Sequence, residues 1–580
     1  LFRKGTETNT ALGAALGLLC GLLALGPALK PGYLLFYDMV FVPKLAWSER
    51  TLGTDGSVPR AVPGDLVVAT LSHLAPGWVV QKVLLLLVFV GAAAGAASFF
   101  RSRVGASAAA VAAAWNPYVG ERLAIGHWGF LLGYACLPFL LQAVIAYRRD
   151  EPRGRARLLL WTLLTALTGS TGAVIGLLVT AAALLVPGDG LPMRDRLRRS
   201  VLPIAAFIVA NSAWWYPFLF LAPRDAADPA GVEAFMSRAD TPLGLVPSVL
   251  TGGGIWNRGV WFADRSSLVV ALAALLCVVC VLGVAVYRWR QQRTRALTPF
   301  TAMAAAGVVG LVLACLSALP AGTGLVTWIV TTLPGGGLLR DSQKFVAPWV
   351  LTIALAAGCA AQFLARQVDR AGAALAVRVL LVGAALLWPI ATFAGMALGA
   401  GGRWQAAHYP ESFSRMASTI EQLPPGRVAV FPWNLYRRYT WDGNVVALDP
   451  WQRLVSREVL VNDDLPLSGQ TVKGESADAA RVTDALRSGA DVSAALRASG
   501  ARYVLVQTDQ PNTHTWRPDA LTPIGRDGAL RLYRVPGTVE VAQDERPATR
   551  WLGLVGIPLM VAAAAVEYLR VSRRIPRTRA

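Results

Sequence analysis

Charge is scarce in this sequence. Asp, Glu, Lys and Arg make up only 16% of its 580 residues, against about 25% in an ordinary soluble protein. Histidine is scarcer still, with four in the whole chain, which leaves little room for a His-based metal centre. No zinc-ligand spacing, P-loop, nucleophile elbow or dinucleotide fingerprint occurs. The six cysteines are Cys20, Cys136, Cys277, Cys280, Cys315 and Cys359, and all fall in apolar runs. None lies in 402–548, so no disulfide supports that stretch. Cys277 and Cys280 are one helical turn apart, the spacing of neighbours packed on one helix face, with redox or metal chemistry as the alternative. No internal repeat is visible.

What the chain has instead is apolar length, with 54% of its residues hydrophobic. These residues form Ala/Leu/Val blocks of roughly 20, long enough to cross a bilayer. They show no period-2 alternation, so helices rather than barrel strands are expected. Candidate spans lie near 11–29, 79–100, 104–120, 127–147, 200–222, 267–287, 300–320, 345–364, 379–400 and 550–569. The run 158–187 is too long for one crossing and is broken at Thr168-Gly169-Ser170-Thr171-Gly172, which predicts a hairpin of two. The first run is read as a retained span with its N-terminus inside. The expected fold class is therefore a polytopic α-helical membrane protein of about 12 spans.

The net charge of +20 is an excess of Arg in short loops. Clusters at Arg101/Arg103, Arg148 to Arg157, Arg194 to Arg199, Arg288 to Arg295, Arg366 to Arg378 and Arg570 to Arg579 all fall on one side under this topology. That is the positive-inside pattern of a plasma-membrane protein with both termini cytoplasmic. Nucleic-acid binding would need a basic face with groove-reading or base-stacking elements, and the loops offer none. Four segments then face outward: 31–78, 223–266, 321–344 and 402–548. The last reads as an extracytoplasmic α/β domain. It has strands at Arg427 to Phe431 and Arg502 to Val506, a helical stretch from Ala477 to Ser499, and a turn at Gly525 to Gly528 before a final strand. At about 145 residues it can hold its own core. The chain divides into 1–401, 402–548 and a final span with a basic tail, 549–580.

Four places carry candidate chemistry. Asp38 stands in Tyr37-Asp38-Met39-Val40 just past the first span, among apolar neighbours. Burial there should raise its pKa and suit a general base, or it caps a short helix at the interface. Glu121, Arg122 and His127 sit together in an outer turn beginning Trp115-Asn116-Pro117-Tyr118, as a reactive cluster or as an interfacial belt with snorkelling charges. Arg340 and Lys344 follow a Gly-rich turn and could hold a lipid-anchored phosphate or simply cap a span. Trp433, Tyr436, Trp441 and Trp451 could form a glycan platform or pack the domain on the membrane.

Together, Trp115-Asn116-Pro117-Tyr118, Glu121-Arg122-Leu123-Ala124-Ile125-Gly126-His127-Trp128 and Leu131-Leu132-Gly133-Tyr134 resemble the membrane part of actinobacterial cell-wall arabinofuranosyltransferases of the AftD type, within the GT-C class of membrane glycosyltransferases. The resemblance covers roughly the first 400 residues, and the Ala/Arg/Gly-rich composition fits a high-GC actinobacterium. It implies a polyprenyl-phosphate sugar as donor, carrying arabinofuranose or a hexose such as mannose, and a cell-envelope glycan or glycolipid as acceptor. By location, Asp38 matches the family's catalytic acidic residue, which would remove the proton of the acceptor hydroxyl. Arg122, Arg340 and Lys344 would then hold the donor phosphate, and Glu121 and His127 would orient substrate. No cofactor is required by this chemistry, and a divalent cation is compatible with it. A lipid-linked sugar flippase and a non-catalytic envelope-assembly protein are the rival readings.

Overall fold

The computed structural model describes residues 7–187, 190–222, 228–291, 298–467, 469–511, 516–539 and 548–574. The basic stretches 292–297 and 575–580 lie outside the described residues.

A helix forms at each of the twelve apolar runs, but they are not twelve full crossings. Among the described residues, seven helices are long and apolar enough to span, or up to nine if two bent pairs each count as one. The pairs are Met193–Ala210 with Ser212–Phe220, bent by 68°, and Leu375–Ala391 with Ala394–Gly402, bent by 61°. The remaining three, Arg103–Ala114, Gly154–Ala166 and Ser170–Leu185, have 12, 13 and 16 residues. At 1.5 Å per residue they reach about 18–24 Å, short of a hydrocarbon core of about 30 Å. By length and composition the described helices thus support seven to nine spans, short of the expected 12. Hydrophobic runs register apolar content, and a short helix buried among others is as apolar as a span.

The break in 158–187 is a reversal. Gly154 lies against Ala146 and Tyr147, and Gly133 lies against both Thr168 and Gly172. Gly176 then meets Leu140, and Arg148 donates to the carbonyls of Ala183 and Val186. The chain thus runs down Trp128–Arg148 and back again. Elsewhere small residues set the packing. Gly13 and Gly17 of Glu7–Leu25 face Gly77–Ala97 so closely that added methyls would fall 2.4 Å from Ala97 Cβ and 2.5 Å from the Phe89 carbonyl oxygen. The segment 321–344 is partly helical, with Pro320–Thr332 burying Gly322, Val326 and Val330 and exposing Leu325 and Trp328.

The C-terminal region holds a five-stranded sheet in the order Val459–Leu460, Arg427–Phe431, Ala501–Gln507, Leu530–Arg534, Thr522–Asp527. Its first three strands are parallel and the other pairings antiparallel. Both faces are covered, so alternate residues enter different cores. Val428, Val430, Tyr503 and Leu505 pack with helix Glu411–Gln422. Ala429, Phe431, Ala501 and Val504 pack with Ala477–Ser488 and Val492–Ala498.

This domain grips the loop that follows the first span. Tyr33 and Ala407 exchange both backbone hydrogen bonds, at 2.7 and 2.8 Å. Tyr409 Oη donates to the Phe41 carbonyl at 3.0 Å. Arg453 pairs with Asp65 at 3.0 Å. From the membrane side, Gln81 holds both backbone groups of Leu34, at 2.9 and 2.8 Å. The segment carrying Asp38 is therefore fixed from above and below.

Candidate active site

The stretch 115–128 is more than a turn. Asn116 caps it by accepting from the Val119 N–H at 2.9 Å, Pro117 occupies the first helical position, and Pro117–Ala124 forms a buried eight-residue helix. Gly126, at φ +92°, ends it. A Cβ at that position would lie 2.2 Å from the Met39 nitrogen, so only glycine lets this loop meet the first one. The Asp38 N–H donates to the Ile125 carbonyl across the contact at 3.1 Å.

Arg122 is wholly buried and all five of its N–H groups are used. Two go to Asp341, at 2.6 and 2.8 Å. Two go to Gln343 Oε1, that from Nε at 2.9 Å, and one to His127 Nδ1 at 3.1 Å. Gln343 is itself oriented by donating to the Gly253 carbonyl at 2.9 Å. No donor of Arg122 remains for a phosphate, so its expected role in phosphate binding is corrected to that of a buried scaffold cation. It also fixes His127. Because Arg122 can only donate, Nδ1 must accept, and the imidazole proton sits on Nε2. Nε2 lies 3.4 Å from Asp38 Oδ2. Burial, opposed by Asp38 and reinforced by Lys344 and Arg122, holds the His127 pKa below its ordinary value and keeps the ring neutral.

Asp38 presents an accessible carboxylate, its side chain 42% exposed. Tyr436 Oη donates to its Oδ1 at 2.8 Å. Burial works against its ionisation, yet the Nε2–H of His127, the Tyr436 hydroxyl and the charge of Lys344 outweigh it, and its pKa is lowered. The expected rise does not occur, because the carboxylate is supplied with donors. Lys344 stands on the 3-10 turn Ser342–Val346, its Nζ 3.6 Å from Asp341 Oδ2. Tyr118 Oη anchors that turn through the Lys344 carbonyl. The Lys344 side chain is 21% exposed. Asp341 is itself held well below the carboxylate range; burial opposes this, but Arg122 and Lys344 prevail.

The other expected site residues lie elsewhere. Arg340 stacks on Phe235, 4.9 Å from guanidinium carbon to ring centre, and among the described residues no carboxylate is within ion-pair distance of it. Glu121 is fully buried and has partners other than those of Arg122. Its Oε2 accepts from the Ile255 N–H at 3.3 Å. Burial and the neighbouring Asp240 raise its pKa well above the usual range. Asp240, bound twice by Arg265 at 2.7 and 2.9 Å, stays ionised. Glu121 is thus a buried group held by the Ile255 N–H, away from the accessible carboxylate of Asp38.

Trp433 and Trp451 are core residues rather than a glycan platform. Trp433 donates to Thr483 Oγ1 at 2.9 Å, and Trp451 stacks on Phe413 at 5.3 Å. Trp441 stacks on Tyr439 at 4.6 Å. Of the four aromatics, Tyr436 is the one that touches Asp38. Asp341 and Gln343, which organise the cluster, were not singled out in the sequence. The available signal was an acid three residues before Lys344 on a tight turn. Among the described residues no three His, Cys, Asp or Glu side chains form a metal-ligand group.

No protein-family model and no curated protein sequence matches the chain. Solved structures do. A cryo-EM structure of arabinofuranosyltransferase AftD from Mycobacteria superposes with a TM-score of 0.55 at 17% identity over 93% of this chain. The class 2 structure of its R1389S mutant gives 0.52 at the same identity and coverage. This chain spans 41% and 42% of those two chains. It therefore shares the AftD-type, GT-C-like membrane fold.

Proposed function

We propose that this protein is a membrane glycosyltransferase. It moves a sugar, arabinofuranose or a hexose such as mannose, from a polyprenyl-phosphate donor to a cell-envelope glycan or glycolipid at the outer face of the plasma membrane. The observation that carries the reading is an accessible, ionised Asp38 beside the half-open cation Lys344, on a fold like that of AftD. The positive-inside pattern supports cytoplasmic termini and an extracytoplasmic domain.

In the reaction, Asp38 takes the proton of the acceptor hydroxyl as that oxygen bonds to the anomeric carbon. The bond from anomeric carbon to phosphate oxygen breaks, and the electron pair leaves with polyprenyl phosphate. The leaving group gains negative charge and needs a cation rather than an acid. Lys344 supplies it locally. His127 orients Asp38 through its Nε2–H, and Asp341, Arg122 and Gln343 hold His127 and Lys344 in place. The chemistry closes without a metal.

Membranes containing the chain, supplied with a labelled polyprenyl-phosphate pentose or hexose and an envelope-glycan acceptor, should form labelled glycan. Label that crosses the bilayer but stays on the lipid would instead support a lipid-linked-sugar flippase. The two spans bent by 68° and 61° are the observation favouring that second reading.

A further inference from the structure

We infer that Tyr436 is a positioning residue through which the soluble domain aims the base Asp38, an inference that rests on Asp38 being the base. The contact is one part of a larger junction. Strands Tyr436–Arg438 and Val446–Leu448 form an antiparallel ribbon. Tyr37 joins its edge: the Tyr37 N–H donates to the Val446 carbonyl at 2.5 Å, and the Leu448 N–H donates to the Tyr37 carbonyl at 2.8 Å. The residue before Asp38 is thus a third element of a ribbon belonging to the other half of the molecule. Tyr37 sits at φ +44°, a conformation a bulky L-residue seldom adopts, and these two hydrogen bonds help hold it there.

The ribbon is in turn fixed to the domain. Buried Arg437 donates to Asp449 Oδ2 at 2.7 Å and to the Pro432 carbonyl at 2.6 Å. The Arg438 N–H donates to Gln510 Oε1 at 3.0 Å. Tyr436 and Arg437 alternate across the ribbon, so anchoring one face presents Tyr436 on the other. From there its hydroxyl reaches Asp38 Oδ1, while His127 approaches Oδ2. One oxygen is held by the membrane half and the other by the soluble half.

The charged and titratable groups facing Asp38 are His127, Lys344 and Tyr436. Those facing Tyr436 are Asp38, Arg60 and Tyr37. Burial and Asp38 raise the Tyr436 pKa well above its ordinary value, so it remains a donor throughout the working range. Deleting its hydroxyl removes a hydrogen bond that favours the ionised carboxylate. The proton affinity of Asp38 then rises, and one of its two orienting contacts is lost.

The test is Tyr436→Phe in the full-length chain in membranes, with kcat and both KM values followed across pH. Phe keeps the ring and its packing. The expected result is a kcat lower by roughly tenfold, unchanged KM for donor and acceptor, and an acid limb displaced to higher pH. In an Asp38→Asn background, the same substitution should cause no further loss. Wild-type kcat and an unmoved acid limb in Tyr436→Phe, with Asp38→Asn inactive, would overturn this inference alone. A fully active Asp38→Asn would remove the reading of Asp38 as base beneath it.

Discussion

Glu121 and Arg122 are neighbours on one short helix, and each leads to a buried arginine–aspartate pair. The two pairs are chemically alike. Arg122 grips Asp341 with two hydrogen bonds and Arg265 grips Asp240 with two. They differ in where they end. The Arg265 pair closes on itself, finishing on Thr251 Oγ1 and the Ser248 carbonyl, beside the buried Glu121. The Arg122 pair opens, passing through His127 and Lys344 to an accessible carboxylate. A buried ion pair in this protein is therefore no marker of a site by itself. What marks the site is a path from the pair to groups that a substrate can reach.

The contrast can be broken by matched substitutions, in order of expected loss of transfer. Asp341→Asn strips the partner from a buried guanidinium and the neighbour from Lys344. It should destabilise the protein by about 3–5 kcal/mol, read by thermal unfolding in detergent, and slow transfer by the surviving folded protein on the order of 100-fold. Lys344→Ala should slow transfer by roughly 10- to 100-fold with a smaller loss of stability, because its amine is already partly open. Asp240→Asn should cost a similar about 3–5 kcal/mol, yet leave kcat of the folded fraction within a few-fold. Equal kinetic effects from Asp341→Asn and Asp240→Asn would show that both pairs are scaffold and that the open path has no role.

Much of this arrangement was legible before the fold was known. Twelve helical runs, the reversal at Thr168 to Gly172 and the α/β pattern of 402–548 follow from hydrophobic length and periodicity. Asp38, Arg122, His127 and Lys344 were all identified as candidates, and they converge. Their individual roles were less legible, because burial and partner count decide them. Four of the five Arg122 donors go to residues more than two hundred positions away, which no local spacing reveals. Asp38 sits among apolar neighbours in sequence, but in space it meets His127 and Tyr436, which reverses the expected direction of its pKa. The span count was less legible for a related reason. Arg103–Ala114 is Ala-rich because it is packed between other helices, and composition does not separate that from contact with lipid.

The central claim is that Asp38 is the base of a glycosyl transfer. Asp38→Asn keeps the size of the side chain and removes its ability to take a proton. Transfer from a polyprenyl-phosphate sugar should fall by about 10²–10⁴-fold, while donor binding to the same membranes stays at the wild-type level. Wild-type transfer by Asp38→Asn would contradict the account.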